Sequence, residues 1–146
     1  MEKTEINNGS MSLTIPEGFS PAMQDKKDNW IVKNEELHVM YNITWKKIPL
    51  FPKVSLDKAI SNTARQIGKQ IPSFAMNQDN ISHTIGGQQA LGFRYSYTTD
   101  GINMTSEYLL TEHNKFYYAF ICLGRTESFD DHYEIFEKML SSVELK

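Results

Sequence analysis

The sequence predicts an α+β domain with a mostly antiparallel β-sheet of about six strands flanked by helices. The first observation behind this prediction is the segment 85–125, which has the composition of three successive β-strands joined by tight turns. The second is a pair of segments, 56–70 and the one that follows Thr126, whose apolar residues recur at helical spacing.

Length and composition are those of one globular unit. The 146 residues fit a single domain, 1–146, that opens with a polar lead-in at residues 1–9. Hydrophobic residues make up 40% and charged residues 23%, which is typical of a soluble protein and unlike a disordered chain. The longest apolar run, Phe116 to Leu123, is far shorter than the roughly 20 residues of a membrane-spanning helix. No membrane insertion is therefore expected of the chain as given.

The first strands are predicted from short alternating segments. Residues 10–16 alternate between apolar and polar side chains and end at a proline. Residues 30–32 and 37–45 are predicted as two strands around a polar turn at 33–36. The second of these strands places an apolar stripe on one face, formed by Leu37, Val39, Tyr41, Ile43 and Trp45.

An irregular connection leads from these strands to the first helix. Pro49 and Pro52 disfavour regular structure in residues 46–55. Ser55 is a suitable N-cap for a helix from Leu56 to about Gln70, because its hydroxyl can accept a hydrogen bond from the first helical turn.

The second half of the sheet follows this helix. A less regular strand is predicted over 77–85, and Gly86-Gly87 turns the chain into the next strand. Asp100-Gly101 predicts a hairpin between strands 89–98 and 103–111, since glycine tolerates the positive φ that such turns require.

The last strand and the last helix complete the prediction. Residues 116–124 are apolar on both alternating faces, which predicts a central strand covered above and below. Thr126 or Ser128 can then cap a helix with one apolar stripe, formed by Tyr133, Phe136, Leu140 and Val143.

Several short motifs in this order carry a resemblance to a known family. They are the Ile15-Pro16-Glu17-Gly18-Phe19 segment, the VSLDKAI helix start, Ile85-Gly86-Gly87 followed by Ala90, and the closing Ser141-Ser142-Val143. From Leu13 to Leu145 the chain resembles the Mog/PsbP-like superfamily, in particular its small bacterial members of unknown function. The resemblance implies an α/β/α sandwich. It supplies no site residues, because the superfamily includes proteins with unrelated roles.

The sequence contains no motif for catalysis or for a cofactor. Four histidines, at 38, 83, 113 and 132, lie at spacings that match no metal-binding motif, and no GxSxG or phosphate-binding loop is present. Cys122, the single cysteine, lies in an apolar strand and is predicted to be a buried thiol of low reactivity. A net charge of −3 offers little attraction for nucleic acid. We therefore expect a protein that is not an enzyme and holds no cofactor or metal.

Aromatic and aliphatic side chains around the prolines are the strongest candidates for binding. Trp45, Ile48, Leu50 and Phe51 are the predicted binding residues, because aromatic residues dominate interface anchors and prolines favour a surface location. Trp45 could instead seal one side of the sheet. The preferred function is a non-catalytic protein-binding or chaperone-like module, whose partner is another protein or a peptide segment.

Three alternatives stay open. The chain could be the soluble domain of a bacterial envelope lipoprotein, which would place it outside the cytoplasm if a signal segment has been removed; a native start at Met1 would make it cytoplasmic. It could also be a small enzyme with a site assembled from dispersed residues, for instance His83 or His113 with Glu107. A homodimer would also fit, since a second subunit could cover a strand that is apolar on both faces.

Overall fold

The computed structural model describes residues 3–22 and 28–146, which form ten β-strands, two α-helices and one short 3-10 helix. The strands are β1 (Lys3–Ile6), β2 (Met11–Thr14), β3 (Ser20–Pro21), β4 (Asn29–Asn34), β5 (Val39–Lys47), β6 (Ala75–Ile85), β7 (Gln88–Thr99), β8 (Ile102–His113), β9 (Phe116–Arg125) and β10 (Glu144–Leu145). The helices are α1 (Leu56–Gln70), the 3-10 helix (Thr126–Ser128) and α2 (Phe129–Ser141).

Seven strands form one antiparallel sheet in the order β3-β4-β5-β9-β8-β7-β6. This architecture confirms the predicted α+β class with a mostly antiparallel sheet. β9 lies in the middle of the sheet, as its two apolar faces predicted. On one face it buries Phe120 and Cys122, and on the other it buries Tyr117 and Ala119.

The two faces of the sheet are covered differently. On one, the α2 face, α2 and the small sheet β1-β2-β10 enclose the main core, which includes Leu13, Phe120 and Phe136. On the other, the α1 face, Leu56, Ala59 and Ile60 of α1 pack against a smaller cluster of Leu110, Tyr117 and Ala119. The result is an α/β/α sandwich in which β1, β2 and β10 extend the layer that contains α2.

Helix α1 begins where the sequence predicted it. The hydroxyl of Ser55 accepts a hydrogen bond from the backbone N–H of Lys58 at 3.2 Å, which satisfies a donor that the first turn would leave unpaired. Helix α2 follows the 3-10 helix directly, and neither predicted cap is used: Ser128 makes no capping hydrogen bond, and the hydroxyl of Thr126 pairs with that of Thr105 at 2.9 Å. Neither helix of the described chain is long and apolar enough to span a bilayer.

The turn between β4 and β5 lies two residues later than predicted. The side-chain oxygen of Asn34 accepts a hydrogen bond from the backbone N–H of Leu37 at 3.0 Å, and His38 adopts a φ of 55°. This side-chain turn extends β4 to Asn34 and starts β5 at Val39. The predicted apolar stripe is otherwise correct, because the alternate residues of β5 from Val39 onward face the main core, and Leu37 packs against it from the turn.

The segments at the two ends of the chain are more regular than the sequence indicated. Residues 3–6, within the predicted polar lead-in, form β1 and bury Ile6 opposite Met11 of β2. The closing Glu144–Leu145 pairs with the other edge of β2 as β10. The N and C termini of the described chain therefore meet on the α2 face.

Candidate binding surface and a buried ionic cluster

The predicted binding residues lie where β5 leaves the sheet. The last residues of β5 pair with the first residues of β9, so that Trp45 lies opposite Tyr118 and Lys47 opposite Phe116. One residue later, the backbone N–H of Ile48 donates a hydrogen bond to the carbonyl oxygen of Lys115 at 2.8 Å. This bond ties the start of the connection to the β8–β9 turn.

The four predicted residues divide into two pairs. Trp45 is partly buried against the main core, and Ile48 is partly buried against the smaller cluster under α1. Leu50 and Phe51 contact neither cluster and are 83% and 88% exposed. Two large neighbouring apolar side chains therefore project into solvent from a loop whose ends are fixed by Ile48 and by the Ser55 cap. We refer to residues 48–52 as the apolar loop.

A groove of about 790 Å³ lies at the end of β5, and its lining residue Lys47 directly precedes the apolar loop in sequence. Its apolar part is formed by Trp45 and Phe116, and its polar part includes Lys46, Lys47 and the β1–β2 turn residues Asn7 and Asn8. Asn7 donates a hydrogen bond from Nδ2 to the hydroxyl of Tyr118 at 3.0 Å, which fixes the turn against the sheet. A smaller recess of about 220 Å³ continues behind Trp45 onto the α1 face.

The charges around this region are mainly positive. Lys46, Lys47 and Lys53 flank the apolar loop in sequence, and Lys115 lies beside it through the backbone bond to Ile48. None of these four lysines forms an ion pair with a carboxylate in the described part of the chain. Asp28, which lines the groove, is the acidic residue among its lining residues.

A second notable group of side chains is a buried ionic cluster between the sheet and α2. Glu107 of β8 is 1% exposed, and its Oε1 is 3.1 Å from both Nε and Nη2 of Arg94 on β7. Arg94 also donates from Nη1 to Asp130 of α2 at 3.0 Å, and its guanidinium stacks on the rings of Phe129 and Tyr133. Burial by itself would lower the pKa of Arg94, but the carboxylates of Glu107 and Asp130 raise it overall.

The other oxygen of Glu107 accepts a hydrogen bond from α2. The hydroxyl of Tyr133 donates to Oε2 of Glu107, and the same hydroxyl lies 3.2 Å from Nε2 of His83 on β6. Because the proton of Tyr133 points at the carboxylate, His83 donates from Nε2 to the tyrosine oxygen. Burial and then the bond to Glu107 raise the pKa of Tyr133. Four elements, β6, β7, β8 and α2, thus meet at one carboxylate.

This cluster brings together one of the two histidine–glutamate combinations weighed for an enzyme. Nε2 of His83 is 3.9 Å from Oε2 of Glu107, whereas His113 lies at the far end of β8, six residues or about 20 Å away. Both oxygens of Glu107 are already bonded, so its carboxylate is held as a structural acceptor. Within residues 3–22 and 28–146, no three His, Cys, Asp or Glu side chains are grouped so that they could hold a metal ion.

Cys122 lies next to the cluster and is chemically shielded. It is opposite Glu107 in the β8–β9 register, is 4% exposed and has no disulfide partner. Burial and then the Glu107 carboxylate raise the pKa of its thiol. The thiol is therefore protonated at neutral pH and is a poor nucleophile, as its place in an apolar strand predicted.

The sequence contained a signal for the ionic pair that motif analysis did not use. A two-residue hairpin turn at Asp100-Gly101 fixes the register of β7 and β8, and that register places Arg94 directly opposite Glu107. The participation of Tyr133 and His83 depends on how α2 and β6 pack, which no local pattern specifies.

Comparison with known proteins establishes the fold. No protein-family model matches the chain, and no curated protein matches it in sequence. Among solved structures, the PsbP protein CyanoP of Synechocystis sp. PCC 6803 has a TM-score of 0.71 at 9% identity, over 99% of this chain and 92% of that chain. The Ran-binding protein Mog1p of Saccharomyces cerevisiae has a TM-score of 0.67 at 8% identity, over 99% and 94%.

A third similar structure comes from a bacterial envelope system. LpqN of Mycobacterium tuberculosis, involved in cell envelope biogenesis, has a TM-score of 0.66 at 12% identity, over 99% of this chain and 91% of that chain. At such identities the similarity establishes the fold and leaves the function open. This chain therefore has the Mog/PsbP-like fold, in agreement with the resemblance drawn from its sequence motifs.

Proposed function

We propose that the chain is a non-catalytic protein-binding module whose contact surface is centred on Leu50 and Phe51. The observation that carries this proposal is that both of these neighbouring side chains are more than four-fifths exposed, at 83% and 88%. Single exposed apolar residues are ordinary on protein surfaces, but two large adjacent ones in one loop favour an interaction site.

The energetics favour binding through this loop. Burying a large apolar side chain that is otherwise exposed contributes about 1.5–3 kcal/mol, so Leu50 and Phe51 together offer a substantial part of a moderate affinity. Ile48 at one end and the Ser55 cap at the other hold the loop in place. A loop that is already ordered loses less conformational entropy on binding than a free segment would.

The structural neighbours support a binding role without specifying it. Mog1p is a Ran-binding protein, and its fold covers almost all of this chain. The buried ionic cluster, in turn, does not favour catalysis, because Glu107, Arg94 and Tyr133 satisfy one another. The binding role of this neighbour and the satisfied ionic cluster both favour a binding module over an enzyme.

The test compares two double variants with matched hydrophobicity changes. In the first, Leu50→Ser and Phe51→Ser remove the exposed apolar loop side chains. In the control, Met76→Ser and Ile102→Ser remove two other large exposed apolar side chains, which are 43% and 41% exposed and lie on the opposite half of the sheet. Proteins bound by each purified variant in lysate of the source organism are captured by cross-linking and quantified.

We expect a partner that is captured by the wild type and the control and is reduced about tenfold or more with the loop variant. The loop variant should keep the wild-type melting temperature, because Leu50 and Phe51 contact neither core cluster. Met76 and Ile102 are more than half buried, so the control is compared at a temperature at which it is fully folded. Equal capture by the two double variants would show that the loop is not the contact surface.

A further inference from the structure

We infer that the partner of the apolar loop is an acidic, extended segment of another protein, which lies in the groove beside the loop. This inference rests on the proposed function and adds the chemistry of the partner. It depends on two features of the same region, its charge and its concave shape.

The charge of the region is opposite to that of the whole chain. Residues 45–58 contain four lysines and only Asp57 as an acidic residue, a net charge of +3, whereas the complete chain has a net charge of −3. Lys115 adds a further positive charge beside Ile48. Since opposite charges across an interface steer association and select partners, this surface favours a partner rich in Asp and Glu.

Two carboxylates near the region reduce this charge without cancelling it. Asp28 lines the groove, and Glu112 lies opposite Tyr117 in the β8–β9 register, on the other side of that ring from Lys46. With Lys58 and Asp57 included, the region has five lysines and three carboxylates, Asp28, Asp57 and Glu112. The balance around the apolar loop stays positive, and the lysines remain available to a partner because none is ion-paired within the described residues.

The shape of the region favours a peptide over a lipid surface. An exposed apolar loop surrounded by lysines could also contact an anionic bilayer. However, the groove of about 790 Å³ next to the loop is concave and combines an aromatic wall, Trp45 and Phe116, with the amide side chains of Asn7 and Asn8. A planar bilayer cannot enter such a groove, whereas an extended chain can place apolar side chains on the aromatic wall and its backbone against the amides.

The experiment uses a library of random peptides and four versions of the 146-residue chain. Peptides that bind the wild type are selected and then tested for binding to the Leu50→Ser, Phe51→Ser variant. Peptides that bind the wild type but not this variant are called loop-dependent peptides. The third protein carries Lys46→Glu, Lys47→Glu and Lys53→Glu. Its matched control carries Arg65→Glu, Lys69→Glu and Lys138→Glu, which reverse three exposed cations on α1 and α2 away from the groove.

We expect loop-dependent peptides to be enriched in Asp and Glu next to apolar residues. Their affinity should fall about tenfold or more with the loop-side lysine variant and stay unchanged with the control. It should also fall as salt is raised from about 0.1 M to about 1 M, because the Debye length shortens from about 10 Å to about 3 Å.

Two other results would overturn the inference in different ways. Loop-dependent peptides that are neutral, or that bind the lysine variant as well as the wild type, would refute the acidic partner and leave the protein-binding function standing. An absence of loop-dependent peptides would refute both. In that case, binding of the wild type to phosphatidylglycerol vesicles, but not to phosphatidylcholine vesicles, would identify the loop as a lipid contact.

Discussion

Arg94 and Glu107 lie directly opposite each other on β7 and β8, and two nitrogens of the guanidinium contact one oxygen of the buried carboxylate at 3.1 Å. The same guanidinium reaches Asp130 in the first turn of α2. The pair therefore links the sheet to the helix that covers its main core. A buried charge is tolerated only when its partners are present, so this link makes the packing of α2 depend on Glu107.

The first prediction concerns Glu107 itself. Glu107→Ala leaves Arg94 partly buried beside a small cavity and removes the acceptor of Tyr133, so the free energy of unfolding should fall by about 3–5 kcal/mol. Urea denaturation followed by circular dichroism measures this change. Glu134→Ala, on the exposed side of α2, is the control and should leave the free energy of unfolding unchanged. A loss below about 1 kcal/mol for Glu107→Ala would show that the cluster contributes little.

How much of this fold the sequence reveals can be seen from two strands. β9 was predicted at the centre of the sheet because both of its faces are apolar, and the buried Phe120 and Ala119 confirm the reason. β10 has only two residues, too few to show alternation, and it forms because Leu145 pairs with Met11 more than 130 residues away. Elements whose stability comes from distant partners leave no local pattern.

For the candidate site, too, the local part could be predicted from the sequence, and the part formed by tertiary packing could not. The prolines at 49 and 52 indicated a surface loop, and the exposure of Leu50 and Phe51 agrees with that interpretation. The groove beside it could not be predicted, since its opposite wall is the β1–β2 turn at Asn7 and Asn8, which only tertiary packing brings there. The assignment of the loop as a binding surface stays a prediction.

The second prediction isolates the hydrogen bond from α2. Tyr133→Phe removes the hydroxyl that donates to Glu107 while keeping the ring that stacks on Arg94. A hydrogen bond to a charged group contributes about 1.5–3 kcal/mol, and we expect a loss of that size in the free energy of unfolding. Tyr97→Phe is the matched control, because the Tyr97 hydroxyl makes no hydrogen bond within the described chain, and it should change stability little. Equal effects of the two variants would contradict the role given to Tyr133.

The third prediction is a loss of stability at alkaline pH. Burial and then the neighbouring Tyr95 raise the pKa of Tyr108 to about 12 from its ordinary value of 10.0. The folded state therefore holds the phenol proton where the unfolded state releases it. Stability is complete below pH 10 and falls as pH rises toward about 12, by about 2 kcal/mol from this residue.

Replacing Tyr108 tests this directly. Tyr108→Phe removes the titrating group and keeps the ring beside Phe93. Between about pH 9 and pH 11.5 its free energy of unfolding should decline less steeply than that of the wild type, as measured by urea titrations at several pH values. Other buried tyrosines still titrate, so a residual decline is expected in the variant. Parallel curves for the two proteins would show that Tyr108 ionises equally in the folded and unfolded states.

The fourth prediction concerns Gly92, where three strands crowd together. Gly92 of β7 lies between Ile81 of β6 and Leu109 of β8, and a Cβ placed on it would lie 2.0 Å from the carbonyl oxygen of Tyr108 and 3.0 Å from Cα of Leu109. Both obstacles are backbone atoms in a central hairpin, so neither can move without breaking the register. Gly92→Ala should therefore destabilise the fold by about 3 kcal/mol or more.

A second glycine provides the comparison for Gly92. Gly87, in the β6–β7 turn, has a φ of 82° and no atom within 4 Å of an added Cβ. Gly87→Ala should cost only about 1 kcal/mol, the penalty for a left-handed conformation. Thermal unfolding of the two variants separates steric crowding from backbone strain. Similar melting temperatures for both would mean that β7 and β8 can separate at Gly92, and that the hairpin register holding Arg94 against Glu107 is less rigid than the structure indicates.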